Sequence, residues 1–173
     1  MRLGVSNCII AATIIGLAWV TTAKASGNGL AGGAQERSSR QVVTGSCSPS
    51  RIRFKTSDVS ESTTSTLFQV VPDTRVKFRQ HGTNASCVIV HYSAMAYAVD
   101  PRWIRMRVVL DHAFIAEPGL IQFDGSAVLS KVRSFDFVFP SVAPGKHDIA
   151  VHWESFNGGV VFMHKRTTLV QYR

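Results

Sequence analysis

The chain has three cysteines among its 173 residues, and no two stand close enough to form a C-x-x-C pair. That spacing carries most structural zinc sites, so its absence argues against a zinc ribbon or finger. Acidic residues are also scarce, 11 Asp and Glu against 19 Lys and Arg. Sites that work by paired carboxylates therefore have few candidates: Asp100, Asp111, Asp124 and Asp136. These sit in turns or alternate with apolar residues, where Asp usually caps or solvates. There is no G-x-S-x-G nucleophile elbow and no Walker or dinucleotide glycine motif. Internal repeats, heptads and a convincing helix of three turns are missing as well. No cofactor is expected, and no catalytic motif survives a check of its spacing.

The first 25 residues have the pattern of a secretory leader. Arg2 supplies a short positive region, Val5 to Val20 is mostly apolar, and Ala23-Lys24-Ala25 is an A-x-A cleavage site before Ser26. The apolar run is short for a membrane span of roughly 20 residues and lacks a basic stop-transfer flank. Removing Arg2 and Lys24 lowers the net charge from +8 to +6, so the export signal does not account for the basicity. Residues 26–46 are rich in Gly, Ser and Ala without a hydrophobic period and read as a flexible leader. Residues 47–173 then form one domain, and the chain is expected in the periplasm or outside the cell. In that setting the two remaining cysteines, Cys47 and Cys87, are expected to form a disulfide. Asn84-Ala85-Ser86 matches a glycosylation acceptor, but the short leader has a bacterial look and no glycan is expected.

Period-two alternation dominates the rest. Ile52 and Phe54 alternate with Arg51, Arg53 and Lys55; Val76 and Phe78 alternate with Arg75, Lys77 and Arg79. Ile104, Met106, Val108 and Leu110 alternate with Trp103, Arg105 and Arg107. This period puts each set on one face of a strand, and the apolar set is expected inside. Further strands are read over Ser65 to Val71, Cys87 to Val99 (a long apolar run expected to be central) and Leu120 to Phe123, with a brief helical turn near Ala127 to Lys131. In the last third, Phe135, Phe137 and Phe139 and then Ile149, Val151 and Trp153 keep the period, separated by Pro144-Gly145 and followed by Asn157-Gly158. These turn signals predict successive antiparallel strands, with Glu154 opposite Val161 and His152 opposite Met163. The pattern resembles the late strands of many extracellular β-sandwich modules, both immunoglobulin-like and jelly-roll. The expected fold is an all-β antiparallel sandwich of about eight or nine strands.

Six histidines follow the leader. His147 and His152 are five apart on one strand, which puts them on opposite faces and removes a shared metal site. His91 reads as a core or edge histidine with a satisfied ring nitrogen, and His164, on the Trp153 face near its strand end, as a packing residue. The basic rows are the feature that stands out: Arg51/Arg53/Lys55, Arg75/Lys77/Arg79 and Arg105/Arg107 hold eight of the 19 basic residues. Like charges opposed across strands are destabilising, and an anion relieves them. Trp103 shares the parity of Arg105 and Arg107, which suits sugar stacking or a cation–π contact. The functional expectation is an exported binding module for an anionic partner: an envelope polysaccharide, a lipid headgroup or an acidic protein. Nucleic acid is a poor candidate for an exported chain. The alternatives are a secreted enzyme with a histidine–carboxylate site and a structural envelope component.

Overall fold

A computed structural model describes residues 45–98, 102–125 and 129–173. The leader and its cleavage site lie outside the described residues, as do positions 127 and 128 of the stretch expected to make a helical turn; the rest of that stretch is a bend at Leu129, an irregular Ser130 and the start of a strand at Lys131. Among the described residues there are eleven strands: β1 (Arg51–Ser57), β2 (Glu61–Thr63), β3 (Gln69–Val70), β4 (Val76–Gln80), β5 (Ser86–Ala98), β6 (Trp103–Leu110), β7 (Phe114–Ile115), β8 (Ile121–Asp124), β9 (Lys131–Val142), β10 (Gly145–Phe156) and β11 (Val161–Tyr172). The count exceeds the eight or nine expected because β2, β3 and β7 are two or three residues long, too short to show a period. The run Ser65 to Val71 contributes only β3, since Ser65 and Leu67 fold into a local side-chain turn through the Ser65 hydroxyl.

One sheet has the order β1-β11-β5-β9, and the other is built on β10, with β3 and β4 on one side and β6 on the other; β6 also pairs β7 and β8. Every pairing is antiparallel. Among the eight principal strands the pairs are β1 with β11, β4 with β10, β5 with β9 and β6 with β8. First pairs with last, second with second to last, and so inward. A long hairpin wrapped over itself has this order, and it is the jelly-roll form of the sandwich.

Between the sheets the alternating positions interlock as expected. Ile149, Val151 and Trp153 of β10 and Ile104, Met106, Val108 and Leu110 of β6 are buried, against Val88, Val90 and Tyr92 of β5 and Phe137 and Phe139 of β9. The long run of β5 is indeed interior to its sheet, between β11 and β9. Burial pushes the Tyr92 phenol well above its ordinary range, and its hydroxyl donates to Met163 Sδ at 2.7 Å. Cys47 and Cys87 are bonded, with Cα atoms 5.6 Å apart, and tie the segment before β1 to the start of β5. Such bonds form in oxidising compartments and are rare in the cytosol. No helix among the described residues is long and apolar enough to cross a membrane.

Three expectations are corrected. First, β9, β10 and β11 are not laterally paired neighbours, because β10 belongs to the opposite sheet. Asn157 (φ 69°) and Gly158 (φ 71°) do make the tight positive-φ turn the sequence announces, but it carries the chain across the sandwich. Glu154 therefore faces Arg105 and His152 faces Arg107, not Val161 and Met163. Second, Ile52 and Phe54 are 61% and 69% exposed. Their neighbours on β11 are Gln171 and Leu169, whereas Arg51, Arg53 and Lys55 pair with the buried Tyr172, Val170 and Thr168. The apolar pair is on the outer face and the basic row on the core side. This is tolerated because β1 is an edge strand, past the lateral end of the core. Third, Phe135 is 39% exposed; only Phe137 and Phe139 of that trio are buried.

Candidate functional site

β1 and β4 are edge strands of opposite sheets, and they face each other across the seam of the sandwich. Arg53 bridges it, its Nη1 donating to the Lys77 carbonyl at 3.1 Å. The groove between them is lined by Ile52, Arg53, Phe54, Lys55, Arg75, Val76 and Lys77. It runs into a second depression that shares Arg53 and Lys77 and adds Arg79 and Lys146. Two of the three basic rows thus merge, although they stand on different sheets. Arg51 lies at the start of the same row, opposite Tyr172.

Few acids answer these charges. Lys55 reaches Asp73 at 3.2 Å, and Arg75 reaches both oxygens of Asp148 at 3.0 Å. Asp148 is the residue opposite Lys77 in the β4–β10 register, so the row's own neighbour takes the acid that would have served it. Asp111 is occupied too: its Oδ2 lies 2.7 Å from His147 Nδ1, and its Oδ1 accepts from the Asp148 N–H. Arg53, Lys77, Arg79 and Lys146 are left without an ion-pair partner among the described residues. Arg79 and Lys146 are directly opposite each other in the ladder, a like-charge pair that costs stability.

The third row is elsewhere and differently furnished. Arg105 and Arg107 lie on β6 against the other end of β10. Arg105 contacts the buried carboxylate of Glu154, its partner in the register, and lies 4.4 Å over the Phe156 ring. Arg107 lies 4.2 Å over Phe68. Trp103, 37% exposed, stacks on Phe156 with centroids 5.2 Å apart and planes 9° apart. The aromatic expected beside these guanidiniums is present, but Phe156 holds one of its faces. His152, half-buried beside Arg107, has both ring nitrogens shielded from water and without a hydrogen-bond partner among the described residues. Burial, then Arg107, Arg75 and His112, lower its pKa from the usual 6.5.

Two histidine–carboxylate contacts remain. His147 has both nitrogens engaged, by Asp111 and by the Ala143 carbonyl at 2.8 Å, and packs on Phe78. His91 Nδ1 lies 2.7 Å from Asp136 on the outer face of the first sheet. His164 faces the Ser130 hydroxyl. No group of three or more His, Cys, Asp or Glu among the described residues is placed to hold a metal.

Lys146 is the seam residue that sequence reasoning missed. It follows a Pro-Gly turn at the very start of β10 and belongs to no run of alternating cations; its parity with Asp148 was the available signal. Glu154 as the ion-pair partner of Arg105, and Phe156 and Phe68 as rings under the β6 guanidiniums, were equally invisible, because sheet register brings in the first two and an irregular segment before β3 the third.

No family model and no curated protein sequence matches the chain. Among solved structures, dimeric latent PorU from Porphyromonas gingivalis is similar over 70% of this chain and 12% of its own, with 12% identity and a TM-score of 0.42. A family GH115 4-O-methyl-α-glucuronidase with specificity for decorated arabinogalactans is similar over 75% of this chain and 19% of its own, with 13% identity and a TM-score of 0.38. The chain spans less than a fifth of either protein, and likenesses this slight carry no argument about what it does.

Proposed function

We propose that the protein is an exported bacterial binding module whose β1–β4 seam takes up an anionic partner. The observation that supports this is the set of seam cations, Arg53, Lys77, Arg79 and Lys146, which form no ion pair among the described residues while Arg79 and Lys146 oppose each other in the ladder. An anion placed between them turns a mutual repulsion into shared attraction. Export rests on the leader pattern of residues 1–25 and on the Cys47–Cys87 bond. The test is retention on immobilised heparin. The wild-type protein is expected to bind in low salt and to elute as screening sets in near physiological ionic strength. The Lys77→Ser/Arg79→Ser variant is expected to flow through. Equal elution of the two proteins removes the proposal.

A further inference from the structure

We propose that the anionic partner is an extended acidic segment of another protein, which adds as a strand to the free edge of β1; this rests on the seam reading above and narrows it. Among the described residues β1 pairs with β11 alone, and one row of its backbone N–H and C=O groups has no ladder partner there. The strand is exposed on both faces almost to its end. Ile52 and Phe54 stand in water on the outer face, and Arg51, Arg53 and Lys55 on the seam face.

Charge alone suffices to shield an edge from aggregation, as inward-pointing Lys and Arg commonly do. Shielding does not account for two large apolar side chains left exposed on the opposite face of the same strand. A polysaccharide or a phosphate headgroup in the groove would use the cations, gain little from the apolar pair that also lines it, and leave the backbone edge idle. An extended peptide uses all three. Its backbone continues the ladder, its apolar side chains cover Ile52 and Phe54, and its carboxylates enter the seam toward Arg53, Lys77 and Arg79. Period-two geometry places those two side-chain sets on opposite faces of the incoming strand, so the segment recognised alternates apolar and acidic residues. The same charges reject a second copy of this chain, since β1 against β1 opposes one basic row to another.

The test is a titration of the ¹⁵N-labelled full chain with three probes. These are an eight-residue peptide of alternating valine and glutamate, the same peptide N-methylated at every amide, and a heparin octasaccharide. The alternating peptide is expected to bind at least tenfold tighter than its methylated form and to slow hydrogen exchange of β1 amides. Phe54→Ser, at an exposed position where the melting temperature should hold, is expected to weaken the peptide at least fivefold and the octasaccharide, which is held by charge, by less than twofold. Equal binding of the two peptides, or indifference of the peptide to Phe54→Ser, overturns the strand-addition inference. If the octasaccharide still binds in a Lys77- and Arg79-dependent way, the seam reading survives that failure. If it does not, both fall.

Discussion

Two basic rows flank the same strand, β10, in the same sheet, and their surroundings are opposite. At the β6 end the register sets Arg105 against Glu154, and aromatic rings lie under both guanidiniums. At the β4 end it sets Arg79 against Lys146, and the nearest acids are already bound to Arg75 and His147. Alternation along one strand decides only which side a cation takes. What it meets there is decided by the neighbouring strand, and this separates a row held by a carboxylate and aromatic rings from one in which two cations oppose each other.

The most forceful way to break that contrast is Arg105→Ala. It leaves the Glu154 carboxylate buried without its guanidinium and should cost about 3 kcal/mol, read from urea unfolding. Arg79→Ala, on the exposed seam, should change stability by less than about 0.5 kcal/mol. Similar losses at both sites would erase the distinction. Next in size is binding. Lys77→Ser/Arg79→Ser should weaken heparin affinity at least tenfold, about 1.4 kcal/mol, without moving the unfolding midpoint. A smaller effect sharpens the account of the seam itself. Arg79→Glu converts the pair with Lys146 to opposite charges and should raise stability by about 0.5 kcal/mol, an increment that fades in high salt.

The smallest effect concerns pH. His152 binds its proton less readily in the folded protein than at the usual 6.5, because it is desolvated and lies near Arg107, Arg75 and His112. As pH falls below about 6.5, the unfolded chain takes up a proton that the folded chain refuses. Stability is therefore full above that pH and declines below it, down to the folded-state value. His152→Gln should flatten this part of the urea-midpoint profile between pH 7 and 5, and an unaltered profile would assign the decline to other groups.

Much of the fold was legible because period two reports the buried face wherever the apolar set of a strand packs between the sheets. Val76 and Phe78 of β4, Ile104 to Leu110 of β6 and Ile149 to Trp153 of β10 all point inward as their spacing demands. The disulfide followed from two cysteines in an export context. β1 misled because alternation tells two faces apart without saying which is buried; at an edge strand, charged stems can occupy the core side and leave Ile52 and Phe54 outside. The Asn157-Gly158 turn misled for a related reason: its positive φ angles fix a reversal of the chain, not whether the strands pair side by side or stack face to face. For the candidate site, the β4 row and the β1 row were identifiable as basic rows, but Lys146 was not, and neither were the Glu154 carboxylate at Arg105 and the Phe68 ring under Arg107. Those depend on cross-strand register and on the path of the irregular segment before β3, which a single sequence without its sheet order does not specify.

The measurement that bears most directly on the seam is a ¹H–¹⁵N map, including arginine Nε–H signals, of the protein titrated with a sulfated oligosaccharide in low salt. The account predicts shifts concentrated at Arg53, Lys77, Arg79 and Lys146, with Arg105, Arg107 and the Trp103 indole unmoved. Shifts centred on Trp103, Arg105 and Arg107 with a silent seam would contradict it.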